Sequence, residues 1–129
     1  MQLFYIDENK HSESAPDFII GGLMIPGTQA QALDQQMRNV QAAALGVALL
    51  DKTHELHGKD IFHGKGNFKG RPLADRMQVI QNVATFVTQN VIPVRLVRID
   101  VPRHRSRYRY PMPAYQLGLM LALERAWDE

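Results

Sequence analysis

Residues 2–26 read "QLFYIDENKHSESAPDFIIGGLMIP" and carry the strongest structural signal of the chain. The segment "QLFYID" alternates β-favouring side chains, which predicts a first strand with two distinct faces. The polar segment "ENKHSESAPD" ends in a turn signal, and "FIIGGLMI" predicts a second strand that Pro26 and Gly27 close. We therefore expect the two strands to pair as a hairpin with a long loop.

Downstream of the hairpin, the apolar residues recur at helical spacing. A first helix is expected from its cap Thr28 to about Asp51 or Lys52, with the stripe Leu33, Met37, Val40, Ala44 and Val47. A second helix is expected after Pro72, with the stripe Leu73, Met77, Ile80, Val83 and Val87. "VIPVRLVRIDV" (91–101) predicts a third strand, and "PMPAYQLGLMLALERAW" (111–127) predicts a last helix, apolar on nearly every side and hence buried. This order predicts one α/β domain over residues 1–129.

The composition points to a folded protein in a reducing compartment. Hydrophobic residues make up 45% of the chain and charged residues 22%, which excludes disorder over its whole length. The absence of Cys excludes disulfides and thiolate metal sites. Asp7 interrupts the only apolar run that a signal peptide would need, and "AAALGVALL" is too short to span a bilayer. We expect a cytoplasmic protein with no membrane partner.

A histidine- and glycine-rich stretch, "HELHGKDIFHGKGNFKGRP", occupies residues 54–72. It is one residue short of the zinc-protease motif, and its glycines are one residue too far apart for a phosphate loop. His54 and His57 remain either zinc ligands on one helix face, which His63 or an acid would complete, or a surface or capping pair. The glycines predict turns, from which cationic side chains could touch a phosphate backbone: Lys59, Lys65, Lys69 and Arg71.

Three acids form a candidate metal site. Asp7 and Glu8 end the first strand, and functional groups favour the carboxyl ends of strands in α/β sheets. If the chain brings Glu55 to Asp7, the two carboxylates would bind Mg²⁺ or Mn²⁺, which could activate water for phosphodiester hydrolysis. By strand alternation, Asp7 and Glu8 cannot both face the same way unless the strand ends at Asp7, and we expect Asp7 to be the ligand. The alternative is that Asp7 and Glu8 only begin a solvated loop.

The succession of a strand ending in Asp7 and Glu8, then "FIIGGLMI", a helix and "ELHGKDIFHGKG" resembles a bacterial and phage family, domain-of-unknown-function family 3800 (DUF3800). The resemblance implies a ribonuclease-H-like α/β fold, with a short mixed sheet and an N-terminal hairpin packed by about three helices. It also implies that residues 1–129 correspond to the N-terminal part of a longer domain. Asn9 and Lys10 depart from the family, which usually has Ser-Gly there.

By the same resemblance, Asp7 and Glu55 would be metal ligands with Glu8 nearby, and His57 would hold a phosphate or assist proton transfer. The family also has a later strand that ends in an acid and a Gln-x-x-Asp motif near the end of its domain, and the resemblance implies that both would lie beyond the part to which this chain corresponds. If those acids complete the metal site, this chain supplies half of it.

An arginine-rich segment, "RHRSRYRY", covers residues 103–110. In a strand or an extended loop, its arginines would share one face and form a cationic ridge: Arg103, Arg105, Arg107 and Arg109. Arginine forks match phosphates, and Tyr108 and Tyr110 can stack on exposed bases, which predicts a nucleic-acid partner. The alternative is that the arginines pair with the protein's own acids.

Two hypotheses follow from the sequence. The first is a metal-dependent nuclease or nucleic-acid-binding domain, in which Lys59 and Lys65 steady the backbone and the arginine-rich segment extends the contact. The second is a non-catalytic interaction module, truncated relative to the family, which binds a partner chain or itself through the apolar last helix.

Overall fold

Local signals in the sequence define eight regular elements in the computed structural model, which describes residues 1–127. The strands are β1 (Gln2–Glu8), β2 (Asp17–Pro26) and β3 (Val94–Asp100). The helices are α1 (Ala30–Leu45), α2 (Gly58–His63), α3 (Leu73–Gln89), α4 (Val101–Arg107) and α5 (Ala114–Trp127). The prediction of an α/β protein is therefore confirmed.

The elements group into two compact units, each with its own core. We call the first the sheet unit: it comprises Met1–Gly27 and the chain from Pro93 onward, with the three strands, α4 and α5. We call the second the helical unit: it comprises Thr28–Ile92, with α1, α2 and α3.

The sheet is a three-stranded antiparallel sheet in the order β1-β2-β3. Tyr5 pairs with Leu23 across β1 and β2, and Ile20 pairs with Val97 across β2 and β3. The predicted hairpin and third strand are thus confirmed. The prediction of a mixed sheet is wrong for residues 1–127, because both strand pairs in this range are antiparallel.

The core of the sheet unit lies between one face of the sheet and α5. Its buried side chains are Phe18, Ile20, Val97, Ile99, Val101 and Ala122. Four of these residues lie on β2 and β3, and the alternation of side chains along a strand places all four on the same face of the sheet. On the other face Tyr5, Ile19 and Leu96 remain exposed.

Gly118 allows α5 to approach the sheet closely. A Cβ atom at this position would lie 2.6 Å from Phe18 Cε1 and 3.4 Å from Ile20 Cγ2. Only one side of α5 is covered, because Met120 is 40%, Leu123 51% and Trp127 89% exposed. The prediction of a buried last helix is therefore confirmed for the side that contains Gly118 and Ala122 and wrong for the side of Met120, Leu123 and Trp127.

The helical unit has a small core drawn from all of its segments. Its buried members are Leu45, Ile61, Phe68 and Val79. Two of them, Ile61 on α2 and Phe68 in a short 3₁₀ turn, come from the glycine-rich stretch. This stretch was expected to lack regular structure, yet it forms a helix and a turn because its apolar residues are buried.

Helix α1 starts later and ends earlier than predicted. Thr28 lies in a turn before the helix, and the N-cap position is occupied by Gln29, whose side chain makes no capping hydrogen bond. Gly46 has a φ of 67° and its N–H donates to the last helical carbonyls, which ends the helix about five residues before Asp51. Apolar periodicity continues beyond Gly46, so the stripe alone overestimates the length.

Helix α3 confirms the predicted second helix, and three residues of its predicted stripe, Met77, Val83 and Val87, are half-buried. Leu73 is 58% and Ile80 39% exposed, whereas Val79 is buried. Arg76 takes part of the inward face, where its guanidinium serves backbone carbonyls. The inward face of α3 therefore includes a charged residue that apolar spacing does not predict.

We expect Gly118→Ala to destabilise the protein by about 1–2 kcal/mol, because the new methyl group must displace the buried Phe18 ring, which outweighs the better helix propensity of Ala. Gly58→Ala is the matched control, since a Cβ there meets nothing within 4 Å. Urea unfolding of both variants measures the difference. Equal stability of the two variants would show that α5 does not depend on this close approach.

Candidate nucleic-acid interface

The arginine-rich segment is helical where it leaves the sheet. Asp100 ends β3 and accepts a hydrogen bond from the Arg103 N–H at 3.0 Å, so it caps α4, and Pro102 lies in the first turn. The expected extended conformation is therefore wrong for residues 101–107. Capping Asp and first-turn Pro are a helix-start signal that the alternation of arginines obscures.

Helical geometry distributes the arginines around α4 and removes the predicted ridge. Successive residues turn by about 100°, so Arg103 and Arg107 share one side and Arg105 lies opposite them. Arg109 follows the helix in an irregular loop. Arg105 lines a groove of about 400 Å³ together with His11, Ser12, Glu13, Pro16, Val101 and Pro102.

The four arginines of this segment are exposed and unpaired. Within residues 1–127, none of Arg103, Arg105, Arg107 and Arg109 forms an ion pair with a carboxylate. Arg98 differs, because its Nη2 lies 2.7 Å from Asp17 Oδ2, and this hydrogen bond raises the pKa of Arg98. The alternative in which this protein's own acids neutralise the segment is not realised among the described residues.

Residues 108–113 follow α4 as a loop that we call the tyrosine loop. Tyr108 is 53% and Tyr110 83% exposed, and the Arg109 guanidinium lies 5.5 Å from the centroid of the Tyr110 ring. His104 Nε2 lies 2.8 Å from Met112 O, so this nitrogen carries the proton and donates it. The loop is thereby tied back to α4.

The acids at the end of β1 point in different directions. The strand continues through Glu8 instead of ending at Asp7, so the two side chains fall on opposite faces of the sheet. Both are exposed, and Asp7 Oδ1 accepts the Glu8 N–H at 2.9 Å. The side chain of Asn9 bonds the backbone of Asp17 and Ile19 and so extends the hairpin.

Glu55 and His57 lie in the helical unit, on the segment that precedes α2. Glu55 Oε2 and His57 Nε2 are 3.2 Å apart, and both side chains are mostly exposed. Asp7 belongs to the sheet unit. Within residues 1–127 no three His, Asp or Glu side chains cluster as metal ligands. The Mg²⁺ or Mn²⁺ site on Asp7 and Glu55 therefore stays a prediction.

The two histidines of "HELH" do not share a helix face. His54 and His57 both lie outside α2, and His57 occupies its N-cap position. His54 Nδ1 accepts the Asp51 N–H at 3.1 Å. Hydrogen bonds from the Thr53 hydroxyl and N–H lower the pKa of Asp51, with a smaller contribution from His54. This part of the stretch is an ordered turn.

Arginines of the helical unit hold the glycine-rich stretch together. Arg76 donates to Ile61 O at 2.8 Å, to Phe62 O at 2.6 Å and to Arg71 O at 3.1 Å. Gly64, with a φ of 65°, lets the Arg76 guanidinium approach. Arg71, which could also touch a phosphate backbone, donates to Ala44 O at the end of α1. No local sequence pattern reveals these tertiary contacts.

Three exposed lysines remain in the glycine-rich stretch. Lys59 lies on α2, and Lys65 and Lys69 flank the 3₁₀ turn Gly66–Phe68. All three side chains are exposed, so a phosphate backbone could reach them from the solvent. Their contact with such a backbone stays a prediction.

Comparison of the chain with protein-family models, curated proteins and solved structures gives no significant match. The resemblance to domain-of-unknown-function family 3800 stays a prediction. No helix within residues 1–127 is long and apolar enough to cross a membrane.

We expect Arg76→Met to lower the free energy of unfolding by about 2–3 kcal/mol, because Ile61 O and Phe62 O lose a charged donor and the hydrogen bond to Ile61 O is partly buried. Arg38→Met is the control: its ion pair with Asp34 is exposed, so its loss should cost about 0.5 kcal/mol or less. Urea unfolding monitored by far-ultraviolet circular dichroism measures both. An Arg76 variant as stable as the Arg38 variant would show that the hydrogen bonds of Arg76 do not stabilise the glycine-rich stretch.

Proposed function

We propose that this protein binds nucleic acid through α4 and the tyrosine loop. The observation that carries the proposal is the set of four exposed arginines with no ion pair among the described residues. Guanidinium groups bind phosphate oxygens bidentately and remain charged at all physiological pH values. A polyanion is the ligand class that satisfies several such groups at once.

The surroundings of the arginines support this proposal. Asp100 is engaged as the cap of α4, and Asp17 pairs with Arg98, so the two acids that lie on β2 and β3 already have partners. His104, Arg105 and Arg107 lie in the last turn of α4, where the negative end of the helix dipole stabilises positive charge. The local structure therefore stabilises part of the positive charge of this segment and leaves its guanidinium groups free to bind phosphate.

The ribonuclease-H-like hypothesis also includes catalysis: the protein would hydrolyse phosphodiester bonds with Mg²⁺ or Mn²⁺. It requires Asp7 and Glu55 on one cation, with Glu8 and His57 nearby. The resemblance to domain-of-unknown-function family 3800 supports it, and a cleavage assay is its test.

Association through α5 is a second candidate function, which the exposed stripe of Met120, Leu123 and Trp127 favours. These residues recur at helical spacing on the side opposite to the sheet contact. A second copy of the chain could cover the stripe by packing helix against helix. Analytical ultracentrifugation of the wild type and Trp127→Lys would show whether this occurs.

We expect Arg103→Ala, Arg105→Ala and Arg107→Ala together to lower the affinity for a labelled oligonucleotide about tenfold or more at low salt. For the wild type, four phosphate contacts to a single strand predict a roughly 50-fold loss of affinity between about 50 and about 200 mM salt. Fluorescence anisotropy titrations at several salt concentrations measure both quantities.

The matched control removes the same number of charges elsewhere, by Arg38→Ala, Lys52→Ala and Arg125→Ala together; all three residues are exposed. This control should retain most of the affinity. If both triple variants lose affinity equally, binding depends on net charge alone and the proposed interface is wrong.

The hydrolase hypothesis predicts Mn²⁺-dependent cleavage of an oligonucleotide by the wild type and its loss in Asp7→Asn, because the amide is a poorer ligand for a hard cation. Asp7 is exposed, so the variant should fold normally. Asp34→Asn is the control and should cleave like the wild type. An active Asp7→Asn variant would remove Asp7 from the metal site.

A further inference from the structure

We propose that the tyrosine loop selects single-stranded over double-stranded nucleic acid, with Tyr108 and Tyr110 as base-stacking residues. This inference rests on the proposed nucleic-acid binding and names its substrate class. Its starting point is the exposure of the two rings, 53% for Tyr108 and 83% for Tyr110, beside cationic side chains.

The rings lie on a restrained piece of chain. Pro111 and Pro113 fix their own φ angles, and the hydrogen bond from His104 Nε2 to Met112 O ties the loop to α4. The His104 ring lies 5.3 Å from the Tyr108 ring at an angle of 55° and so supports one side of it. Tyrosine itself has few rotatable bonds, so holding a base against it costs little entropy.

Residues 107–110 alternate phosphate-binding and base-stacking chemistry along the chain. Arg107 and Arg109 alternate with Tyr108 and Tyr110. The Arg109 guanidinium over the Tyr110 ring shows that this ring already accepts a planar cationic group on its surface. A single strand presents its phosphates and unpaired bases alternately as well, and every base has a face that can stack on an aromatic ring.

A duplex does not fit these groups equally well. Its base faces are covered by their neighbours, and only base edges are open in the grooves. Helix α4 has seven residues, and its Arg105 lies on the side opposite to Arg103 and Arg107. A rigid duplex on one side of α4 would reach only some of the arginines, whereas a flexible single strand can bend around the helix.

The experiment compares three labelled probes with the full chain by fluorescence anisotropy: oligothymidylate, oligouridylate and a DNA duplex, each about twelve nucleotides long. The wild type should bind either single strand about tenfold or more tightly than the duplex. Equal affinity for the single strands and the duplex would overturn the inference. Preference for one sugar over the other would identify the natural strand and would still support it.

Tyr108→Leu and Tyr110→Leu together keep apolar bulk but remove the aromatic faces. Two lost stacking contacts should lower single-strand affinity roughly 25-fold and leave duplex affinity unchanged. Tyr108→Phe and Tyr110→Phe together should bind like the wild type. Tyr5→Leu is the control for loss of an exposed tyrosine, since Tyr5 is 55% exposed on β1.

The outcomes separate this inference from the proposed function. If the Leu variant binds single strands like the wild type while the arginine triple variant does not, the arginines bind phosphate but the tyrosines do not stack. If the Leu variant loses duplex and single-strand affinity equally, the loop is a general contact and the selectivity is wrong. If the arginine triple variant keeps full affinity, the proposed interface itself fails.

Discussion

The packing of α5 on one face of a three-stranded sheet determines where the arginine-rich segment lies. A sheet this small buries its apolar face only if a helix covers it, and α5 does so where Gly118 admits Phe18 and Ile20. The chain must then pass from the end of β3 to the start of α5. This connection consists of α4 and the tyrosine loop. The arginines are therefore positioned by the core of the sheet unit, although none of them belongs to that core.

The glycine-rich stretch illustrates how an unusual sequence can serve structure instead of chemistry. Phe68 is 1% and Ile61 3% exposed, and these two side chains need a chain path with several sharp turns. Gly64, Gly66 and Gly70 supply those turns with positive φ angles. Such turns leave backbone carbonyls without partners inside a helix or strand. The guanidinium of Arg76 donates hydrogen bonds to two of these carbonyls, Ile61 O and Phe62 O.

Sequence patterns predicted the strands of this protein better than its helices. The hairpin and β3 follow from alternation, because one sheet face is buried and one is open. Helix α1 was overestimated because apolar spacing does not register the left-handed conformation at Gly46. Helix α4 was missed because arginines at every second position imitate a strand. The roles of Arg71 and Arg76 depend on partners more than ten residues away, which no local pattern encodes.

The unpaired arginines carry an energetic cost that their surroundings only partly offset. Arg103 and Arg107 are four residues apart on one side of a short helix, where like charges repel by a few tenths of a kcal/mol. The helix dipole favours Arg107 in the last turn, and Asp100 at the N-cap places a negative charge in the first turn, which contains Arg103. Within the described residues no carboxylate pairs with these guanidinium groups. A bound phosphate backbone would bring negative charge to both sides of α4 at once. The repulsion stored in the free protein would then be relieved on binding, and its relief would add to the affinity.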